Sequence, residues 1–193
     1  TPETAGPARV VSGAALDGCR GQPERAACQG LLYRSLHPVH AKQPLSGRGA
    51  ALFGGRFNPR GMEALYTSLS PEGAIREANQ IGTLQPTTLV AYRADIAAVL
   101  DSRDPDALAP WSLTAADLAD ASWRDRMHRG ASVPTHDLAV ALSAAGYAGM
   151  LMQGFARGAP ADQLNLVLWR WNTGDRDSHV LIDDEGRLSR TSA

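Results

Sequence analysis

The 193-residue chain has only two cysteines, Cys19 and Cys28, and they form no C-x-x-C pair. The five histidines (37, 40, 128, 136 and 179) show no ligand spacing beside them, and the close pair His37 and His40 has Pro38 between and no carboxylate near. No metal is therefore expected. So few cysteines fit a reducing cytosol, and the expected location is cytoplasmic. No secretory-signal pattern is visible at the N-terminal end. The chain also lacks an excess of one charge: 19 Lys and Arg face 20 Asp and Glu, a formal net of -1. That balance argues against direct nucleic-acid binding by phosphate neutralisation and against a polybasic membrane anchor. No apolar run reaches the roughly 18 residues of a membrane span. Aromatics are only 6% of the chain, yet hydrophobic residues make up 44%, an ordinary globular value. Disorder of the whole chain is excluded. A core of this size buries roughly 70% of the unfolded surface and needs no disulfide or metal staple.

Residues 1–30 read as a tail rich in Ala, Gly, Pro, Arg and Glu, with one short helix over 23–29, and the folded domain is expected over 31–193. A strand over 31–34 is stopped by His37-Pro38. The glycine-rich stretch 44–61 reads as loop, followed by a strand over 64–68. Ser70-Pro71-Glu72 is a strong helix start, because Ser70 can cap, Pro71 suits the first turn and Glu72 favours the positive end of the dipole. That helix should run to about residue 80, closed by Gly82. A strand is expected over 87–96, a polar loop over 101–109, and a helix over 114–121 with Thr114 and Asp117 as a capping pair. A further helix over 134–145 ends at Gly146. Strands follow over 150–153 and 165–172, and a final hairpin is expected from 179–183 with the turn 184–186. Strands interleaved irregularly with short helices give an α+β class: one domain, a mixed β core and short flanking helices.

Glu77 carries the most informative charge. It lies on the face of the 71–80 helix marked by Ala74, Ala78 and Ile81 at i, i+4 and i+7. A carboxylate on an inward face is costly unless it is paired or functional, so a structural ion pair and a catalytic role both stand open. The preceding Gly54-Gly55-Arg56-Phe57-Asn58-Pro59 places a guanidinium on glycine-flanked backbone. Its planar fork suits phosphate or carboxylate, and free backbone amides can add an anion nest. The competing reading is a tight turn with Arg56 bridged to Glu77. Arg34 ends the first strand, and Tyr66 lies near the end of another. Together these residues suit a phosphorylated, sugar-bearing ligand.

A series of blocks then resembles the RES-domain family of bacterial toxins from type II toxin–antitoxin pairs. The blocks are Tyr33-Arg34, Leu45 to Ala50, Gly54 to Asn58, Ala64 to Ser68, Ala74 to Glu77, Gly146-Tyr147 to Arg157, and Asn165 to Trp169. The resemblance is strongest over 31–172. It implies an ADP-ribosyltransferase-like fold and an NAD+-consuming enzyme that splits the nicotinamide–ribose bond and passes ADP-ribose to phosphate, water or a protein. It also implies a cognate Xre-like helix-turn-helix antitoxin that occludes the active site. Arg56 and Glu77 match the family arginine and glutamate and are the expected catalytic residues. Arg34, Arg56, Tyr66 and Gly154 are the expected NAD+ contacts. Gly154 stands where the family carries serine, which keeps a backbone amide but loses the hydroxyl.

On this reading Glu77 stabilises the oxocarbenium-like ribose, Arg34 and Arg56 hold the pyrophosphate, and Tyr66 stacks on nicotinamide or caps it. Two alternatives remain: a mono-ADP-ribosyltransferase acting on one host metabolic enzyme, and a non-catalytic module that binds NAD+ or a partner. Trp111, Trp123, Trp169 and Trp171 are expected to be packing residues. The charged run 124–129 reads as a solvated face or a partner contact, and His136 as a surface or capping neighbour.

Overall fold

A computed structural model describes residues 9–12, 25–79, 84–174 and 176–188. Its organising element is the long strand β4 (Thr88–Asp101), in which Val90, Tyr92, Ala94 and Ile96 alternate inward with more exposed neighbours. One edge of β4 pairs antiparallel with β2 (Ala26–Leu36), from Leu36↔Thr88 to Ala26↔Val99. The other edge is shared by β7 (Ser178–Leu181), antiparallel, and β5 (Gly149–Gln153), parallel. From β5 the pairing passes antiparallel to β6 (Leu164–Leu168) and then to β3 (Leu65–Ser68). Strand β3 meets β2 again at Tyr33↔Ser68, so these five strands form a closed circuit. A short β1 (Arg9–Ser12) lies parallel to the start of β2.

Leu32, Leu65, Ile96, Leu151, Leu166 and Leu168 fill the inside of the circuit. Alternation along β5 and β6 sends Met150, Met152 and Val167 to the opposite face, where a second core forms with Trp169 just beyond β6. There they meet α3 (Pro105–Leu108), α4 (Ala115–Ala119) and α6 (Pro134–Ala144) through Leu108, Leu118, Leu138 and Leu142. The described residues also form the α-helices α1 (Arg48–Phe53), α2 (Pro71–Ala78) and α5 (Trp123–His128). Burial of both faces of β6 ties the two cores into one α+β unit. Among the described residues no helix is long and apolar enough to cross a membrane.

Several boundaries differ from the sequence expectation. Residues 26–29 are strand rather than helix, because Ala26 and Cys28 are claimed by Val99 and Ile96 of β4. The glycine-rich stretch contains α1, and the polar loop contains α3, which Asp104 caps through the Asp106 amide. Among the described residues no final hairpin forms, and β7 docks on β4. The 165–172 strand stops at Leu168, where the Trp169 and Arg170 amides both turn to the Ala148 carbonyl. The helix start at Ser70 and the Thr114–Asp117 capping box are as read, and the Ser70 hydroxyl accepts from the Gly73 amide at 3.0 Å. The expected helix end at residues 80–82 lies outside the described residues.

Candidate functional site

The loop from Gly54 to Asn58 is held from every side. Its first residue ends α1 at φ 72°, a left-handed conformation that favours glycine. A Cβ on Gly55 would overlap the Tyr66 hydroxyl and sit against Oδ1 of Asn58, so only glycine fits there. The first turn of α6 clasps the loop: His136 Nε2–H donates to the Gly55 carbonyl at 2.7 Å, and the Thr135 hydroxyl donates to that of Arg56. His136 is therefore a buried fastening rather than a surface neighbour. Trp169 Nε1–H donates to the Phe57 carbonyl at 2.8 Å. Asn58 is fully buried and donates to the carbonyls of Ala50, Pro59 and Met62. The amides of Gly54, Gly55 and Phe57 bond to Ala50 O, Asn58 O and the Tyr66 hydroxyl. These three amides are committed within the protein, so the anion nest expected of this loop is not built from them.

What the loop presents is Arg56. Its Nη1 donates to the carbonyls of Leu118 at 3.1 Å and Asp120 at 3.2 Å, tying the α4–α5 connection to the loop. Its guanidinium carbon lies 4.7 Å from the ring centre of Phe155 and 6.0 Å from that of Trp123. Burial pulls Arg56 below the ordinary arginine value, and the Glu77 charge opposes that shift.

Glu77 projects from α2 into the same space. Its Oε1 accepts from the amides of Phe155 at 3.2 Å and Ala156 at 3.3 Å, and from Asn165 Nδ2 at 2.6 Å. Asn165 is oriented in turn by the Ser68 hydroxyl, which donates to its Oδ1 at 2.6 Å. The carboxylate is thus held by backbone and amide donors, and no ion pair to Arg56 forms. Ala78, expected inward beside it, is exposed and borders the open space, while Ile81 lies outside the described residues.

Arg34 and Tyr66 complete the wall. Arg34 Nη1 donates to the carbonyls of Pro44 at 3.1 Å and Ser46 at 3.3 Å, and the Tyr92 hydroxyl donates to Pro44 O at 2.7 Å. The Tyr66 hydroxyl donates to Asn58 Oδ1 at 2.7 Å, and burial pushes it above the usual phenol value. Tyr66 as a residue is nonetheless 36% exposed. Its hydroxyl is buried in the loop and its ring is what remains for a ligand.

Arg34, Arg56, Tyr66 and Glu77 line one cleft of about 840 Å³, within the range of small-molecule sites. Gly154 does not. It lies beside the cleft with its amide donated to the Gln163 carbonyl at 2.8 Å, and a Cβ there would stand 2.5 Å from Gln163 Nε2. The glutamine, pinned by Arg76 through its Oε1, fills the place a side chain at 154 would take. Sequence reasoning missed Asn165 and the Phe155 and Ala156 amides as partners of Glu77. Two of the quoted blocks contain these residues, but their roles appear only once β5 and β6 are paired. It also took Trp123 for packing, whereas Trp123, Arg124 and Asp125 border the cleft.

No curated protein matches the chain. A family model described as RES domain matches residues 31–191. That match takes in every cleft residue from Tyr33 to Val167, and the chain belongs to the RES-domain family.

Proposed function

We propose that this protein is the toxin of a toxin–antitoxin pair and that its cleft splits NAD+ at the nicotinamide–ribose bond. The observation that carries the reading is Glu77: a carboxylate on the wall of a cleft shared with two arginines, held by three donors on one oxygen. RES-domain membership associates the chain with toxin–antitoxin systems and NAD-related chemistry.

In the reaction the glycosidic electron pair leaves with the nicotinamide nitrogen and cancels its positive charge. The ribose carbon becomes oxocarbenium-like, and an acceptor oxygen bonds to it and gives up its proton. Glu77 faces the developing cation and holds a ribose hydroxyl, a contribution that grows toward the transition state. Arg34 and Arg56 bind the diphosphate and fix the reacting end. The Tyr66 ring offers an apolar face to nicotinamide. A helix-turn-helix antitoxin would cover the cleft. Leu52 and Phe53, 66% and 71% exposed on the helix that leads into Gly54, are an apolar pair available to such a partner.

Incubation with NAD+ labelled in the adenylate half tests this. Release of nicotinamide together with ADP-ribose, its phosphate ester or a labelled protein supports the reading and identifies the acceptor. Unchanged NAD+ at saturating concentration, with the antitoxin removed, contradicts it.

A further inference from the structure

The charged run 124–129 is not uniform. Trp123, Arg124 and Asp125 border the cleft, whereas residues 126–129 do not. The start of α5 is fixed by Asp120, whose carboxylate accepts from the Ser122 amide at 2.8 Å and the Ser122 hydroxyl at 2.7 Å. Asp120 and Leu118 also offer the carbonyls that receive Arg56. The beginning of α5 is therefore anchored to the Arg56 side chain, and its first residues are carried to the cleft with it.

At that junction two guanidiniums share one indole. The guanidinium carbon of Arg124 lies 5.0 Å from the Trp123 ring centre, and that of Arg56 lies 6.0 Å from it. Among the described residues Arg124 enters no ion pair. The Arg124 charge is felt at Arg56, where it opposes the carboxylates of Glu77 and Asp120. Like charges that act on each other cost free energy in the empty protein, and an anion lying between them relieves that cost. The indole keeps both guanidiniums in place, so little side-chain freedom is lost when the anion arrives. The charged side chains lining the cleft are Arg34, Arg56, Arg124, Glu77 and Asp125, and the Asp120 carboxylate also acts on Arg56.

We infer that Arg124 and Arg56, braced on Trp123, form a clamp for a phosphate-type anion, with Arg124 as its second arm. The anion is either the diphosphate of the bound dinucleotide or a free phosphate that accepts ADP-ribose. Only this assignment of the natural ligand rests on the NAD+ reading; the clamp itself follows from the side chains.

Titrations with ADP and adenosine, and product formation from NAD+ at varied inorganic phosphate, test the clamp in Arg124→Gln and in Arg129→Gln, an exposed charge on the same segment away from the cleft. If the clamp holds the diphosphate, Arg124→Gln weakens ADP about tenfold and adenosine less than about twofold. If it holds the acceptor, ADP is unchanged and the half-saturating phosphate concentration rises about tenfold. Either result supports the clamp, provided Arg129→Gln matches the wild type. ADP and phosphate both within about twofold of wild type in Arg124→Gln would overturn it. So would equal losses in the two variants, which would reduce the effect to general charge. The ADP titration needs no turnover. A protein that binds ADP through Arg124 but leaves NAD+ intact refutes the reaction and keeps the clamp, and the converse result separates them the other way.

Discussion

Replacing Asn165 by aspartate puts a second carboxylate oxygen where an amide now donates to Glu77 at 2.6 Å. The substitution is nearly isosteric, and the Ser68 hydroxyl can still donate to the other oxygen, so the fold should persist. Two carboxylates at that separation disfavour double ionisation, and the pair retains one proton to a pH above the ordinary carboxylate range. If turnover requires Glu77 as an anion facing the ribose, Asn165→Asp loses activity at neutral pH and regains it as pH rises and the shared proton leaves. Asn165→Ala gives the complementary result. It removes a hydrogen bond to a charged group, worth about 1.5–3 kcal/mol. Part of that loss falls on turnover, roughly tenfold or more in kcat, with KM for NAD+ less affected if, as proposed, substrate binding rests mainly on the arginines. The assay is a pH–rate profile of nicotinamide release at saturating NAD+, with circular dichroism to verify folding. An Asn165→Asp enzyme with wild-type kcat and an unshifted profile would refute the reasoning, since Glu77 would then be indifferent to its nearest donor.

Gly55→Ala should cost about 2–4 kcal/mol in denaturant unfolding, because the new methyl displaces the Tyr66 hydroxyl and breaks its buried bond to Asn58. Gly49→Ala, in α1 with open space around the glycine, should be neutral or stabilise by up to about 1 kcal/mol. His179 is fully buried, stacked 4.2 Å from Tyr92, and among the described residues neither ring nitrogen has a hydrogen-bond partner. Burial, aided by the Arg34 charge, lowers its pKa from 6.5 to about 4. Its stability contribution is present above pH 6.5 and is lost as pH falls through the window from 6.5 to 4, about 3 kcal/mol in all. His179→Phe should flatten that part of the stability–pH curve, and an unchanged slope would contradict the assignment. Gly154→Ser should destabilise by about 1–2 kcal/mol by pushing Gln163 from its site against Arg76, and Gln163→Ala should remove most of the difference in a double-mutant cycle. Additive effects would show that the glutamine does not occupy the serine's place.

Features written in neighbouring residues were legible in the sequence. The Ser70-Pro71-Glu72 start and the Thr114–Asp117 box satisfy their own amides locally, so they form as read. The alternation along β6 was equally visible, because each face meets a different core. The first half of β2 was not legible: Ala26, Ala27 and Cys28 have no β-branched or aromatic signature, and pairing with β4 makes them strand. The same holds for β7, which is placed by residues 92–95 rather than by its own turn. Helix α1 buries none of its side chains, so it gives no apolar stripe. It is closed instead by Gly54 and gripped at the Ala50 carbonyl by Asn58. In the site, Glu77 was legible as a charge on an inward helix face and Arg56 as one on glycine-flanked backbone. Asn58 is the buried tie of its own loop, a role that its donations to Ala50, Pro59 and Met62 reveal only in the fold. Asn165 and Trp123 gain their positions from contacts with residues far along the chain.

The central claim is that the carboxylate of Glu77 in this cleft consumes NAD+ and thereby arrests growth. Intracellular NAD+ and growth, followed together after induction of the wild type and of Glu77→Gln at matched protein levels, address it most directly. The account predicts that NAD+ falls before growth stops in the wild type, and that both stay at control levels with Glu77→Gln. Arrest with NAD+ undiminished, or equal depletion by the two proteins, would contradict it.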